Sequence, residues 1–361
     1  MKKFFLIIAA VLFSSHLFSQ QHSFFVKGRV VDATTKSPLQ GTSVFAENTT
    51  LGTATDQDGN FLLELPLGGY SLVISYTGFN TQSIRVSHTE SNNLQVEMTI
   101  KEKAMEEVAI VSTGEVKNGI EKYGQFFLDE FIGKSNNSIL CKLKNPEVLR
   151  FYFSKKKNRL KVLANEPLVI ENNALGYNIK YEIDSFVHEY KSDLTVYTGY
   201  PLFEEMSATS AEQKATWATA RENAYHGSVL HFMKSLYNME LEEEGFEIQF
   251  IININGKDSA LRLKDYYEAI NFQQEDSTLP VQIKPNQTQV GVIYTKQKPE
   301  EGYLKENKNV PTGFQFSTIN FLPNKALFIE RNGFYFEQND LIINDYWEWN
   351  KMADALPYDY K

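Results

Sequence analysis

A chain of 361 residues that is 42% hydrophobic and 22% charged has the composition of about two folded domains and excludes a largely disordered protein. A formal charge of −9 argues against nucleic acid as a partner. The single cysteine, Cys141, excludes an intramolecular disulfide and any CxxC metal or redox motif, and reads as a buried, inert thiol.

Residues 1–20 read as a secretory signal peptide. Lys2 and Lys3 form the positive start, Phe4–Phe13 the apolar stretch, and Ser14–Gln20 the small, polar cleavage region. That region holds no cysteine for a lipid anchor. Losing the two lysines would take the charge from −9 to −11. No later stretch reaches about 18 apolar residues, so no membrane span is expected in the mature chain. The expected location is exported: periplasmic, outer-membrane associated or secreted.

Short alternating strands follow. Phe25–Asp32 places Val26 and Val30 on one face, and Pro38 suits an edge position. Thr42–Glu47 alternates again, then Asn48-Thr49-Thr50 turns. Asp56-Gln57-Asp58-Gly59-Asn60 is a hairpin connection with Gly59 supplying a positive φ, so turn chemistry accounts for both aspartates. Phe61, Leu63 and Leu65 share a face, Pro66-Leu67-Gly68-Gly69 turns, and Tyr70–Tyr76, Gln82–Val86 and Leu94–Ile100 complete about seven strands, the pattern of a β-sandwich.

The order Gly28-Arg29-Val30, Pro38-Leu39-Gln40-Gly41-Thr42-Ser43-Val44, Gly52-Thr53-Ala54-Thr55-Asp56, Asp58-Gly59-Asn60-Phe61, Tyr76-Thr77-Gly78-Phe79 resembles the carboxypeptidase-like regulatory domain, over about residues 24–100. The resemblance implies a seven-stranded transthyretin-like (prealbumin-like) β-sandwich with no catalytic role of its own. Such modules commonly precede the plug of TonB-dependent receptors and also occur alone on exported proteins. A metallocarboxypeptidase needs zinc held by His and Glu plus a general base. Neither HxxE nor HExxH occurs here; His16 leaves with the signal peptide, and His22, His88, His188, His226 and His231 lie in no zinc motif. No metal and no cofactor are expected.

Residues 101–122 read as a linker. Met105–Val111 resembles the segment after this module in the receptors and is taken as an ordinary linker strand rather than one offered to a partner. The residues beyond are too few for a plug and a barrel of about twenty-two strands, so a membrane receptor is not expected.

Residues 123–361 read as a β-rich α+β region with a central helical pair, which makes the whole chain mainly β. Strands are expected at Val148–Phe153, Leu160–Ala164, Leu168–Ile170, Gly176–Glu189 and Leu194–Tyr200. Ala211–Tyr225 has helical spacing, Gly227 breaks it, and Ser228 caps a second helix through Leu241, striped by Val229, Phe232, Met233, Leu236 and Tyr237. Glu240 and Glu242–Glu244 would then sit at a helix C-terminus, against the macrodipole, and Gly245 would cap it. Strands return at Glu247–Asn253, Ala260–Leu263, Val290–Tyr294, Gln315–Phe321, Ala326–Ile329 and Gly333–Phe336, before an end helix over Tyr346–Leu356. Asn145-Pro146-Glu147, Pro167–Tyr177, Ala224–Ser228, His231-Phe232, Asp345-Tyr346-Trp347 and Leu356–Tyr360 resemble the companion region that often follows the sandwich in exported bacterial proteins of unassigned role. That resemblance implies a location and an architecture but no chemistry.

Trp217, Arg221, Tyr225, His226, Ser228 and His231 cluster around the helix break and form a candidate binding cluster; no catalytic residue is assigned. A hydrolase using Ser228 or His231 is the weakest reading, because no GxSxG elbow surrounds Ser228. Asp258-Ser259-Ala260 and Asp276-Ser277-Thr278 match a short O-glycosylation pattern known in some bacteria with this domain family. The expected function is a non-catalytic exported scaffold that docks an unidentified envelope protein or outer-membrane complex through its β-sandwich. The alternative is a glycan- or peptide-binding role for residues 123–361, suggested by Trp217, Trp347, Trp349 and the many tyrosines.

Overall fold

The computed structural model describes residues 23–89, 93–101, 114–336 and 338–360. The expected signal peptide and Met105–Val111 lie outside the described residues.

Strands β1 (Ser23–Asp32), β2 (Ser43–Ala46), β3 (Gly52–Ala54), β4 (Asn60–Pro66), β5 (Gly69–Ser75), β6 (Gln82–Ser87) and β7 (Asn93–Met98) form two sheets, ordered β4-β1-β7 and β3-β2-β5-β6. This is the expected seven-stranded sandwich. Period-two alternation sends Val26, Val30, Val44, Leu63, Leu65, Leu72, Ile74, Val96 and Met98 into one core. The Asp56 carboxylate accepts from the backbone N–H of Asp58 and Asn60, at 2.9 and 2.8 Å, and Gly59 has φ +78°.

The region beyond opens with a helix, α1 (Gly119–Phe131), which starts inside the stretch read as linker. Phe127 and Phe131 bury against Phe151, Phe186 and Tyr181 of a six-stranded sheet. Its strands are β8 (Cys141–Leu143), β9 (Leu149–Ser154), β10 (Arg159–Ala164), β11 (Leu168–Asn172), β12 (Tyr177–Glu189) and β13 (Leu194–Glu205). Cys141 is half-buried, and burial pushes its thiol up to about 12.

The helical pair is present as α2 (Ala211–Tyr225) and α3 (Val229–Asn238). The second helix stops at Asn238 rather than Leu241, because Met239 adopts a left-handed conformation with φ +60°. A separate turn of helix, Leu241–Glu244, then starts, so Glu242–Glu244 occupy a first helical turn, where acids favour the macrodipole.

Beyond it, β14 (Phe246–Ile254), β15 (Lys257–Arg262), β16 (Val281–Ile283), β17 (Gln289–Tyr294), β18 (Gln315–Phe321), β19 (Leu327–Ile329), β20 (Tyr335–Phe336) and β21 (Leu341–Asp345) form sheets ordered β15-β14-β17-β18-β21 and β16-β19-β20. The α3 stripe of Phe232, Met233, Leu236 and Tyr237 packs on this core with Phe246, Tyr294 and Trp347. The expected end helix is shorter: Tyr346–Trp349 is helical and Met352–Asp354 is a 3-10 turn, with the backbone extended at Asn350 between them.

The sandwich is stitched to the rest of the chain. Its 47–50 turn inserts between β13 and the C-terminal tail. Asn48 N–H donates to Pro201 O at 2.7 Å, Phe203 N–H to Thr49 O at 2.9 Å, and Tyr358 N–H to Asn48 O at 2.7 Å. Thr50 N–H donates to Asp359 Oδ1 at 2.9 Å. Elsewhere on the joint Ser75 Oγ donates to Glu182 at 2.6 Å, and Arg85 faces the buried Glu330 at 3.7 Å while stacking on Phe336. Gly69 sits close against this side chain: a Cβ on it would lie 2.2 Å from a Glu330 carboxylate oxygen, which would have to shift.

Glu47 is half-buried at this joint, near Tyr181, Tyr200, Tyr335 and Tyr358. Burial pushes its carboxyl up from 4.5 to about 7, and the Ser71 hydroxyl offsets this only in part. The folded-state value exceeds the unfolded one, so the native state holds the proton more tightly between about pH 4.5 and 7. Glu47 therefore makes stability fall as pH rises through that window. Glu47→Gln is expected to raise stability at pH 8 by on the order of 2 kcal/mol and to leave it unchanged at pH 4. Urea titrations at both pH values check this; an equal change at the two contradicts it.

Candidate functional site

The α2–α3 break holds all six residues of the sequence-derived cluster, but it splits them into two groups. Trp217 and Arg221 clamp the 172–176 turn. Trp217 Nε1 donates to Asn173 O at 2.8 Å. Arg221 donates to Leu175 O at 2.6 Å, Gly176 O at 3.1 Å and Glu205 Oε1 at 2.9 Å, and its guanidinium lies 3.9 Å from the centre of the Tyr177 ring. The Asn172 carboxamide oxygen accepts from Ala174 and Leu175 N–H in the same turn, and its amide group donates to Ala353 O at 2.9 Å.

Tyr225, His226, Ser228 and His231 form the second group. Gly227 has φ +81°, and a Cβ there would lie 2.3 Å from Gln315 Oε1 and 2.6 Å from the Tyr294 ring, so only glycine fits the break. Ser228 Oγ accepts from His231 N–H at 3.1 Å as the α3 N-cap. His231 Nδ1 accepts from Gly227 N–H at 3.1 Å, which places the ring proton on Nε2, 3.0 Å from Glu244 Oε2. Burial holds this imidazole below its ordinary pKa, against the pull of Glu244. The Ser228 hydroxyl and both His231 nitrogens are thus committed to holding the break. Tyr225 packs edge-on or tilted against His226, His231 and Tyr360. His226 differs: its ring lines a cavity of about 450 Å³ beside the end of α2.

A second feature lies on the sandwich. On the outward face of β4-β1-β7, Phe25 is 55% exposed and Leu62 59% exposed. Phe25 pairs with Glu64 and Lys27 with Leu62, so the two apolar side chains are diagonal neighbours across β1 and β4. Lys27 and Glu64 lie directly beside them on that face, with Arg29 next along β1. Sequence alternation marks these positions as outward but not that two of them would meet.

Among the described residues no group of three or more His, Cys, Asp or Glu side chains is placed to hold a metal, and no helix is long and apolar enough to cross a membrane. Of the two serines in the short glycosylation pattern, Ser277 is exposed in a turn and Ser259 is half-buried on β15.

Residues 26–110 match the family model described as the CarboxypepD_reg-like domain, so the chain carries such a domain at its β-sandwich. The chain is 35% identical over 114 residues to the TonB-dependent receptor SusC of Bacteroides thetaiotaomicron, covering 31% of this chain and 10% of that receptor. It is 32% identical over 92 residues to the TonB-dependent receptor P3 of Formosa agariphila, covering 26% and 9%. The chain thus spans about a tenth of the length of these relatives. A DUF3823 family protein from Bacteroides ovatus aligns over 52% of this chain and 83% of its own at 10% identity, with a TM-score of 0.18.

Ser228→Ala is expected to cost about 1 kcal/mol through loss of the cap. Gly227→Ala is expected to cost at least ~2 kcal/mol through backbone strain and overlap. Denaturant unfolding measures both; a Ser228→Ala cost equal to or above that of Gly227→Ala contradicts this arrangement.

Proposed function

We propose that the protein is a non-catalytic exported scaffold that docks an envelope protein through the outward face of β4-β1-β7. The observation that carries this reading is the adjacent exposed pair Phe25 and Leu62, rimmed by charge. An apolar centre with a polar rim is the arrangement of a binding hot spot. The relatives support the setting, since each is named as a TonB-dependent receptor. The joint supports it from the other side. The 47–50 turn and the Arg85 end of the sandwich are occupied by the C-terminal region, which leaves β4-β1-β7 to meet a partner. In this role the C-terminal region is the body the sandwich anchors, and the partner is an envelope protein or outer-membrane complex rather than nucleic acid.

A photo-crosslinking residue at Leu62, in cells expressing the full chain, is expected to give a discrete adduct with one envelope protein. The same probe at Ile254, also more than half exposed, on β14, is expected to give none. Phe25→Asp is expected to abolish the Leu62 adduct without lowering Tm. Matching adducts from both probe positions, or none from Leu62, would overturn the docking role.

A further inference from the structure

One end of the six-stranded sheet is made by two hairpin tips, residues 155–158 between β9 and β10 and residues 190–193 between β12 and β13. The tips are neighbours. Tyr190 N–H donates to Asn158 O at 3.2 Å, and at the strand ends Arg159 meets Glu189 both in register and as a salt bridge. Asn158 and Asp193 hold the turns in left-handed conformations, with φ +49° and +51°. The Tyr190 ring lies edge-on to His188 at 4.3 Å and close to Phe126 and Phe153, so it is anchored while the residue stays 38% exposed.

Charge gathers here against the trend of the chain. Residues 154–159 and 189–194 carry five basic side chains and two acidic ones, in a protein of formal charge −9. Arg159 neutralises Glu189, which leaves the exposed Asp193 as the opposing charge. Lys155, Lys156, Lys157 and Lys191 are all exposed, and among the described residues none of the four forms an ion pair. Three lysines in a row repel one another, so their grouping does nothing to hold the fold together.

The same end of the sheet exposes apolar surface. Leu194 and Val196 are 52% and 50% exposed, on the face of β13 opposite to Tyr197, which packs against Phe131 and Phe186. In register across the sheet, Leu194 sits beside Glu189 and Arg159, and Val196 beside Val187 and Lys161. Aliphatic and basic side chains therefore share one open face that ends in the basic tips.

That combination selects a partner. Lysines are point charges without the planar fork with which arginine grips a single phosphate. A plane of lipid phosphates meets several such charges at once without fixing their geometry. A soluble polyanion would leave Leu194 and Val196 in water. Against a bilayer the two reach the acyl boundary while the lysine stems keep their ammonium groups among the phosphates. We propose that the paired tips form a peripheral contact with an anionic phospholipid bilayer, with Lys155, Lys156, Lys157 and Lys191 at the phosphates, Leu194 and Val196 at the acyl boundary and Tyr190 between them. This contact and the docking face lie on different sheets, and either can fail without the other.

The test is flotation of the full chain, taken after export, with vesicles of phosphatidylethanolamine and about 30% phosphatidylglycerol, beside phosphatidylcholine vesicles and soluble dextran sulfate. Binding is expected to the anionic vesicles and not to phosphatidylcholine, and is expected to be lost at about 0.5 M NaCl. Lys155→Gln, Lys156→Gln and Lys157→Gln together are expected to lower vesicle affinity about a hundredfold without changing Tm. Lys214→Gln, Lys257→Gln and Lys308→Gln together remove the same charge from exposed positions elsewhere and are expected to leave affinity unchanged. Leu194→Gln is expected to lower vesicle affinity about fivefold while leaving retention by dextran sulfate as it was. The proposal is overturned by no flotation with anionic vesicles, by equal flotation with phosphatidylcholine, or by equal losses from the two triple substitutions. It is also overturned if Leu194→Gln leaves vesicle affinity intact, the mark of a general polyanion or acidic-protein contact.

Discussion

The structure depends on a four-residue turn. Residues 47–50 leave the sandwich between β2 and β3 and enter a slot between β13 and the C-terminal tail, where backbone groups of Asn48 and Thr49 pair with Pro201, Phe203 and Tyr358. Backbone hydrogen bonds fix position and direction at once, and these are withdrawn from water among tyrosines. A flexible linker alone would let a sandwich tumble beside its neighbour. Here the joint, the Glu182–Ser75 bond and the Arg85–Glu330 pair orient it. The cost is a carboxyl, Glu47, held in a poorly solvated place.

That orientation divides the polar chemistry of the molecule. At the joint and at the α2–α3 break, polar groups such as Arg221, Ser228 and His231 find partners in the protein, and their work is to hold backbone turns. Near the end of α2 the buried His226 Nδ1 and Gln315 Oε1 have no hydrogen-bond partner among the described residues. The contrast within a few residues is between His231, with both ring nitrogens paired, and His226, whose buried Nδ1 has no partner among the described residues.

The sandwich was legible in the sequence because two-residue alternation and turn chemistry agreed at every strand. Asp56, Gly59 and the 66–69 turn each have a local physical reason to be what they are. Helix α3 was legible for the same cause: a cap at Ser228 and an apolar stripe pointed to one answer. Helix α1 was not, since Gly119 and Gly124 weaken helical propensity and its aromatic residues suit strands as well. The short end helix was overextended because Tyr346–Leu356 is apolar at helical spacing while its middle opens at Asn350. The joint was illegible for a different reason: Asn48 and Tyr358 are far apart in sequence, and no local pattern announces such a pairing. Of the cavity, His226 stood out in the sequence, whereas Gln315 read only as the start of a strand and Asp354 only as part of a helix.

Amide hydrogen exchange on the full chain tests the one-body joint most directly. The account predicts that the amides of Asn48, Phe203 and Tyr358 exchange as slowly as those of the sandwich core strands, through opening of the whole unit. Exchange of these three orders of magnitude faster than the core, with the core itself protected, would contradict it.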